Sequence, residues 1–570
     1  MIHPVPFSVV KQPWNTYLQW ERFSFPDYSG PKDAIAIPVI GRGFLVSAYT
    51  VMSGLAVVHT WAILLALGIF WYQKRHADPG TGLSKVNGLS ISAWNQRAAP
   101  QGSIIDLLFF TRWWQRKKRW FCPLLMTMAA AWAASLAASI SIPSTIILGA
   151  AAPVNASSIY IPMYPEFDNN KSREKIDYEA STLSRVPARR AAGAAQVLDL
   201  DGRVPVFIHD PVQEGYTERN ESILRINYSY NITGVDFGLQ RFPDLYLNVA
   251  GSCITEYDWY NSTTVDTDSK ADLYISPIDA SHYYATYSDP PIPTAYFDYF
   301  LPEYDGYLPR NTSWAAIVSS VNRTSVSPGN DPWYLTADKN VDGKYIVKPA
   351  RPVLRCWENG AWSFGLSGQT FNISDENSTV LASSGLPKGI LNTMRLYLDF
   401  PAIFYHGRLL ETSALLCGSE ASPGDREFDA GRCSLHGDLR QLVFGAYIAT
   451  VKLFADTTLY PRRSNELDNY AIDKDTNRLA DGMDGFVVYT NDVVALYIPA
   501  LIIIPAVALG TWVLMMLLLY WTPLKLVREM EALQMFREAR EWDPDVRLHA
   551  KEGRWKLYVH TVLPSSSPPR

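Results

Sequence analysis

Three long stretches without a charged residue constrain this chain more than any other feature of its sequence. They run over residues 44–72, 123–150 and 493–521, and each has at least 28 residues with no Asp, Glu, Lys or Arg. About 20 apolar residues are enough to cross the hydrocarbon core of a bilayer. Helices of globular proteins rarely run beyond about 20 residues in this way. The sequence therefore predicts three transmembrane helices.

The distribution of charge predicts which segments face the cytosol. The loop 73–121 carries nine Lys/Arg against two acids, and three tryptophans stand among the cations at its end. The segment 151–492 carries 29 Lys/Arg against 44 Asp/Glu. Loops rich in Lys and Arg stay on the cytoplasmic side of a membrane. We therefore expect 73–121 and the tail 522–570 inside, and 151–492 outside. The arm 1–43 has little charge bias of its own and is expected outside.

The N-terminal arm does not have the form of a secretory signal peptide. It lacks a basic start followed by a short apolar core. We therefore expect the stretch 44–72 to remain in the mature protein as an anchor.

Glycosylation acceptors of the form Asn-x-Ser/Thr are confined to the predicted outer segment. Half of its 20 asparagines begin one, against none of the three elsewhere, whereas random placement would give roughly one in seven. This distribution indicates a segment that enters the secretory lumen and then faces the outside. The ten acceptors are Asn155, Asn170, Asn220, Asn227, Asn231, Asn261, Asn311, Asn322, Asn372 and Asn377.

Four of the five cysteines also lie in the outer segment: Cys253, Cys356, Cys417 and Cys433. An even number in an oxidising compartment predicts two disulfides. Three pairings are open, and the short loop from Cys417 to Cys433 favours that pair, which leaves Cys253 with Cys356. A metal site built from the four thiolates is disfavoured because no C-x-x-C spacing occurs.

The outer segment is predicted to be a β-rich α+β domain. Residues 223–233 alternate apolar and polar side chains, as in a half-buried strand. Residues 353–366 have the form of a hairpin turning at Asn359-Gly360, and 439–459 carry the apolar stripe of a helix. Further strands are expected at 204–209 and 244–253. The fold class is thus a three-span helical anchor with a β-rich extracellular or lumenal domain.

A search for chemistry finds no catalytic, cofactor or metal motif. The histidines are isolated, and neither H-E-x-x-H nor G-x-S-x-G occurs. In the acidic loop 338–345 a hairpin turn is favoured over a calcium site, and 473–484 lacks the glycine that a calcium loop needs. The dibasic stretch 185–193 is expected as an exposed, uncleaved loop. The Tyr- and Pro-rich stretch 281–309 is expected as a loop packed on the domain by its aromatics, with stacking on a sugar or peptide as the alternative.

The predicted partners begin with the lipid bilayer. Ala130, Ala134 and Ala138 recur every four residues in the second stretch, which favours close helix packing and self-association. A helix over 524–540 could lie on the membrane or bind a partner, and Cys122 is a candidate for S-palmitoylation. No feature points to nucleic acid.

The arrangement resembles that of a broad group of uncharacterised fungal integral membrane glycoproteins. In that group a basic loop precedes an Ala/Ser-rich span, a Tyr-rich ectodomain follows, and a last span leads to a short tail. The stretch RPVLRCWENGAWSF (351–364) is the most similar piece. The resemblance concerns architecture and implies no activity, cofactor or site residue.

Three functions fit these expectations. The first is a multi-pass glycoprotein of the plasma membrane or a secretory-pathway membrane, whose ectodomain binds a ligand, wall component or partner protein. The second is an ectodomain enzyme acting on glycans or peptides, which the lack of a motif disfavours. The third is an accessory subunit of a transporter or channel.

Overall fold

The structure is a computed structural model, and it describes the chain in segments. The described residues are 15–76, the helical positions 132, 135, 137, 141 and 145, then 146–163, 173–199, 205–265, 270–286, 295–300, 312–319, 323–341, 343–365, 368–373, 378–398, 401–420, 428–460 and 467–520, and finally 550, 551, 554 and 555. The chain divides into two compact units. The large unit comprises Met1–Val39 and Leu148–Ala495, and the helical unit comprises Ile40–Ile147 and Leu496–Arg570.

Strands outnumber helices in the part of the chain that the structure describes. In chain order they are β1 (Arg22–Phe25), β2 (Lys32–Pro38), β3 (Ile147–Gly149), β4 (Ala151–Pro153), β5 (Pro162–Met163), β6 (Val206–Ile208), β7 (Val212–Tyr216), β8 (Ser222–Thr233), β9 (Leu245–Glu256), β10 (Tyr260–Val265), β11 (Lys270–Ile275), β12 (His282–Thr286), β13 (Ala295–Phe300), β14 (Thr312–Val318), β15 (Thr324–Ser325), β16 (Thr336–Val341), β17 (Lys344–Val347), β18 (Val353–Phe364), β19 (Thr370–Phe371), β20 (Asp468–Asn469), β21 (Ile472–Asp473), β22 (Arg478–Leu479), β23 (Val487–Tyr489), β24 (Val493–Tyr497), β25 (Ala550–Lys551) and β26 (Arg554–Trp555).

Helices form a second layer of the large unit and the body of the helical unit. They are α1 (Val39–His76), α2 (Arg173–Asp199), α3 (Thr379–Ser384), α4 (Lys388–Leu398), α5 (Ala402–Leu410), α6 (Leu416–Glu420), α7 (Leu435–Val451), α8 (Leu453–Asp456) and α9 (Ile498–Tyr520), with 3-10 turns at Ala156–Ser158 and Glu411–Ala414. The helix predicted over 439–459 is thus two helices, α7 and α8, which meet at Lys452.

An antiparallel sheet of eight strands forms the centre of the large unit. Its path is β13-β14-β18-β9-β8-β6, with β19 beside β18 and β7 beside β8. The predicted strand 223–233 is confirmed as β8, in which Ile226 and Tyr230 are buried while Asn227 and Asn231 are exposed. The strands expected at 204–209 and 244–253 are confirmed as β6 and β9.

One face of this sheet packs against helices. The ring of Tyr230 on β8 meets that of Tyr447 on α7 edge to face, with 5.7 Å between centroids. Gly407 of α5 lies directly on Phe297 of β13, and a Cβ at residue 407 would come within 2.5 Å of the ring. Glycine therefore allows α5 to approach the sheet closely.

The other face is partly covered by the three-stranded sheet β10-β11-β12. Trp259 and Tyr274 from this side form a buried cluster with residues of β13, β14 and β18. The stretch 281–309 contributes β12 and β13 to these sheets, so it is not the loop that was predicted. Its aromatics do pack on the domain: Tyr283 lies against Trp259, whereas Tyr284 is 54% exposed.

A four-stranded sheet in the order β1-β2-β24-β3 joins the ends of the charge-free stretches. Strand β2 ends at Pro38 and α1 begins at Val39, while β24 ends at Tyr497 and α9 begins at Ile498. Strand β3 follows helical Ile146 directly. Three neighbouring strands thus continue into the three stretches, and the N-terminal strands β1 and β2 belong to the large unit.

The helical unit contains two helices long and apolar enough to cross a membrane, over Val39–Leu64 and Ile498–Leu518. They are in contact, since the Tyr49 hydroxyl donates to the Leu501 carbonyl oxygen at 2.9 Å. The predicted second span lies mostly outside the described residues, although six positions from 132 to 146 are helical. Cys122, the loop 77–121 and the predicted tail helix also lie outside them.

The bounds of the charge-free stretches differ from those of the helices. Helix α1 starts at Val39 rather than at 44, and the end of the second stretch is β3 rather than helix. At the start of the third stretch, Val493 and Ala495 are fully buried in β24. These apolar residues pack in a sheet rather than in a helix, so apolar character alone places the start of α9 several residues too early.

The hairpin predicted over 353–366 is wrong. Residues Val353–Phe364 form one straight strand, β18, in which Asn359 pairs with Ala250 and Gly360 with Val249 of β9. Pairing along the whole of β9 keeps Asn359-Gly360 extended. By contrast, a hairpin over 338–345 is confirmed, since β16 and β17 pair with Val341 opposite Lys344.

Candidate functional site

A group of buried titratable side chains lies between the helices of the large unit. Helices α2, α4, α5, α7 and α8 surround a cavity of about 60 Å³. Its polar wall is formed by Ser184, Tyr397, Tyr405, His406, Thr450, Asp456 and Tyr460. We call these residues, with Arg190 and Lys452 beside them, the buried polar cluster.

Arg190 and Asp456 form an ion pair in this cluster, with side chains only 14% and 8% exposed. Burial lowers the pKa of the Arg190 guanidinium to about 10, against an opposing effect of Tyr460. A guanidinium remains charged at that value, so Arg190 of α2 brings a buried positive charge to Asp456 of α8. Breaking such a pair leaves one buried charge without compensation.

Arg190 belongs to the dibasic stretch that was predicted to be an exposed loop, and that prediction is wrong. Residues 185–193 lie within α2, which carries Pro187 in its interior, and Ala188 and Ala191 are buried. The run of alanines around the arginines is the sequence signal that could have indicated a packed helix.

Lys452 lies at the junction of α7 and α8, with 8% of the residue exposed. Burial, assisted by the positive charge of Arg190, lowers the pKa of its ammonium group to about 7. The Lys452 nitrogen is 5.4 Å from the centre of the Tyr489 ring, a distance typical of a cation–π contact.

His406 is 1% exposed and faces the cavity from α5. Neither of its ring nitrogens has a hydrogen-bond partner among the described residues. The ring lies against Gly445 of α7, where a Cβ would come within 2.4 Å of Nε2. Burial lowers the pKa of His406 to about 4, so the imidazole is neutral at physiological pH.

The size of the cavity limits what this cluster can do. Pockets that bind drug-sized ligands have volumes of roughly 300–1,000 Å³, and an apolar cavity of about 150 Å³ can hold benzene. A water molecule needs about 10–15 Å³ on this scale. The cavity of about 60 Å³ therefore has room for a few water molecules and not for a substrate with its reacting partners.

A second buried acid lies in the centre of the eight-stranded sheet. Tyr228 of β8, Gly251 of β9 and Glu358 of β18 stand in one row across three strands. The Tyr228 hydroxyl reaches over the glycine and donates to Glu358 Oε2 at 2.6 Å. Burial raises the pKa of Glu358 to about 7, partly offset by this hydrogen bond.

The structure joins Cys253 to Cys356 and Cys417 to Cys433, the pairing favoured by spacing. The Cα atoms are 4.0 Å and 5.3 Å apart. Cys253 and Cys356 are opposite each other on β9 and β18. The other bridge joins α6 to the residue before the Ser434 cap of α7.

The glycosylation acceptors that the structure describes lie mostly on the surface. Asn220, Asn227, Asn231, Asn261 and Asn372 are exposed. Asn155 is half-buried, and its Nδ2 donates to the Asn15 carbonyl oxygen at 3.0 Å. An exposed asparagine has the space that a glycan requires. That these asparagines carry glycans stays a prediction. The remaining acceptors, Asn170, Asn311, Asn322 and Asn377, lie outside the described residues.

In the part of the chain that the structure describes, no three His, Cys, Asp or Glu side chains are placed to hold a metal ion. In the acidic loop 473–484, Asp473 Oδ1 accepts from the backbone N–H groups of Asp475 and Thr476 at 2.9 and 3.1 Å. This side chain is therefore used to form the turn between β21 and β22.

Comparison with protein families assigns the central part of the large unit. Residues 186–488 match the family model described as Domain of unknown function (DUF8406). The matched range extends from within α2 to within β23, and the sheet β1-β2-β24-β3 lies outside it. No curated protein and no solved structure matched the chain. Because the match covers more than half of its length, the chain belongs to the DUF8406 family.

Proposed function

We propose that this chain is a multi-pass membrane glycoprotein of the cell surface or a secretory-pathway membrane. Its large unit lies on the lumenal or outer side and recognises a ligand, a wall component or a partner protein. The helical unit anchors it in the bilayer.

The observation that carries this proposal is the sheet β1-β2-β24-β3. Strand β2 and the first three residues of β24 belong to the large unit, and the two strands continue directly into α1 and α9. If both helices cross a membrane, their ends at Val39 and Ile498 lie on the side of the large unit. The N-terminal strands then share that side, a point that the charge of the arm left open.

Two further features support an oxidising, secretory location for the large unit. Disulfides persist in secreted and lumenal domains and are rare in the cytosol, and this unit contains two. Five of its glycosylation acceptors are exposed. Each feature is weak alone, and together they agree with the acidic charge of this unit and the basic charge of the loop 73–121.

Recognition is favoured over enzymatic chemistry by the contents of the large unit. Its buried polar cluster surrounds a cavity of about 60 Å³, which is too small for a substrate. Exposed aromatics are present instead, such as Tyr216 on β7 and Tyr284 on β12, which are 61% and 54% exposed. Aromatic rings with a polar end are enriched at binding surfaces.

Glycosidase treatment tests the location of the large unit. The full chain is expressed in eukaryotic cells, recovered from membranes, and treated with a glycosidase that removes whole N-glycans. We expect faster migration on a gel after treatment. A matched chain with Gln at all ten acceptors is expected to migrate alike with and without the enzyme. Unchanged mobility of the unmodified chain would contradict the proposed location.

A sedimentation assay tests recognition of a wall component. The full chain in lipid nanodiscs is mixed with insoluble fungal-type wall polysaccharide, and bound protein is compared with empty nanodiscs. Co-sedimentation that is lost in Tyr216→Ala or Tyr284→Ala would support recognition through these surfaces. Absence of any co-sedimentation would exclude a wall polysaccharide as the ligand, and the large unit would then be expected to bind a soluble ligand or a partner protein.

A further inference from the structure

An exposed phenylalanine lies between two glycosylation acceptors on the open face of the eight-stranded sheet. Phe207 of β6 is 62% exposed and stands opposite Ser229 of β8. Residues directly opposite in an antiparallel pair share a face, and successive residues alternate. Phe207 therefore shares the face of Asn227 and Asn231, each two residues from Ser229.

The strand on the other side of β8 leaves this face open. Ser229 pairs with Ala250 of β9, and Asn231 pairs with Asn248. Ala250 and Asn248 are exposed, and because their side chains are short, the surface of the sheet is flat at this point. Phe207 is thus a large apolar side chain beside a flat sheet surface formed by small and polar side chains.

The spacing suits contact between this ring and a sugar. Diagonal neighbours on adjacent strands have Cα atoms about 7–8 Å apart, within reach of aromatic and long side chains. An asparagine that carries an N-acetylglucosamine is longer than any unmodified side chain. From either Asn227 or Asn231, the first sugar can lie over Ser229 and meet the Phe207 ring.

The chemistry also fits. The face of an aromatic ring carries partial negative charge, and one face of a pyranose ring presents C–H groups with partial positive charge. Such a contact also removes apolar surface from water, at about 25 cal/mol per Å². Coverage by a sugar would explain why an exposed phenylalanine lies on an otherwise polar face of the sheet.

We propose that Phe207 is an intramolecular stacking platform for the core sugars of N-glycans on Asn227 and Asn231. The glycans cover the open face of the sheet, and Phe207 holds them against it. This inference rests on the proposed function, because it requires the large unit to enter the secretory lumen.

The test is the rate at which an endoglycosidase trims each glycan on the folded full chain, followed by mass spectrometry of glycopeptides. Phe207→Ala is expected to raise the trimming rate at both Asn227 and Asn231 by roughly two- to tenfold, the factor expected for loss of an aromatic contact. Trimming at Asn372 is expected to be unchanged. The control Leu396→Ala removes an exposed apolar side chain from α4 and should leave all rates as they are.

A second measurement separates stacking from a loss of folding. Phe207→Ala is expected to lower the melting temperature of the glycosylated chain, and to leave it unchanged when Asn227→Gln and Asn231→Gln are also present. Equal trimming rates with and without Phe207, on glycans shown to be present, would overturn the inference alone. Glycans elsewhere but not on these two asparagines would also overturn it alone. Absence of all ten glycans would overturn the proposed function.

Discussion

The buried ion pair between Arg190 and Asp456 allows a quantitative test of what holds the helical layer together. Both partners are largely removed from water, so Arg190→Met leaves a carboxylate buried without a counter-charge. Removing one partner of a buried pair costs about 3–5 kcal/mol, whereas replacing both with apolar residues of similar volume is often neutral or stabilising. We therefore expect Arg190→Met alone to be severely destabilising, and Arg190→Met with Asp456→Leu to recover most of the loss.

A surface pair provides the matched control. Arg22 and Asp33 on β1 and β2 are 2.8 Å apart, but their side chains are 69% and 53% exposed. Exposed pairs contribute about 0–1 kcal/mol, so Arg22→Met should have little effect. The two ion pairs lie in the same unit and differ in how deeply they are buried, so their comparison isolates the effect of burial.

Hydrogen exchange measured by mass spectrometry is the suitable assay, because it reports opening of α2 and α8 separately from other segments. At 1.4 kcal/mol per tenfold, the single substitution should accelerate exchange in α2 by roughly a hundredfold or more. The double variant should stay within about tenfold of the unmodified chain. A double variant as unstable as the single one would refute the argument that an uncompensated charge is the cause.

Three further predictions concern buried groups, each measured as a denaturation midpoint in nanodiscs. Gly251→Ala places a Cβ in collision with the Tyr228 ring and should cost about 1–3 kcal/mol; the control is Gly215→Ala on β7, where a Cβ meets nothing within 4 Å. Burial lowers the pKa of Lys452 from 10.5 in the unfolded chain to about 7 in the folded protein, so between these pH values the unfolded chain binds one more proton. Stability should therefore rise with pH above about 7, and Lys452→Met should reduce that rise. Burial raises the pKa of Glu358 from 4.5 in the unfolded chain to about 7 in the folded protein. The free energy of unfolding should therefore fall as pH rises from about 4.5 to 7, and Glu358→Gln should make this fall smaller. An unchanged pH dependence of stability in either variant would contradict these pKa assignments.

The sequence predicts the β-rich large unit because its strands alternate over long runs. In β8 the pattern is uninterrupted for eleven residues, 223–233, and both its strand character and its exposed asparagines follow from it. The disulfide pairing follows from spacing, since Cys417 and Cys433 are close in the chain. Such local signals are sufficient when one element carries its own pattern.

Other elements depend on partners that are distant in sequence. Asn359-Gly360 is a typical hairpin signal, yet pairing with β9 keeps it extended. Val493 to Leu496 are as apolar as the helix that follows, and only the neighbours β2 and β3 determine that they form a strand. Arg190 appears exposed until Asp456, more than 250 residues later, provides its counter-charge. These outcomes depend on tertiary contacts that periodicity and propensity do not contain.

The most direct test of the central claim is a pair of single acceptor substitutions that report the two sides of the membrane. Arg22→Asn creates an Asn-Phe-Ser acceptor at an exposed position of β1, and Val559→Asn creates an Asn-His-Thr acceptor in the tail. If β2 and β24 hold the N-terminal strands and the large unit on the lumenal side, and α9 crosses once, Arg22→Asn should add one glycan and Val559→Asn none. A glycan on the tail, with none added at β1, would contradict the account.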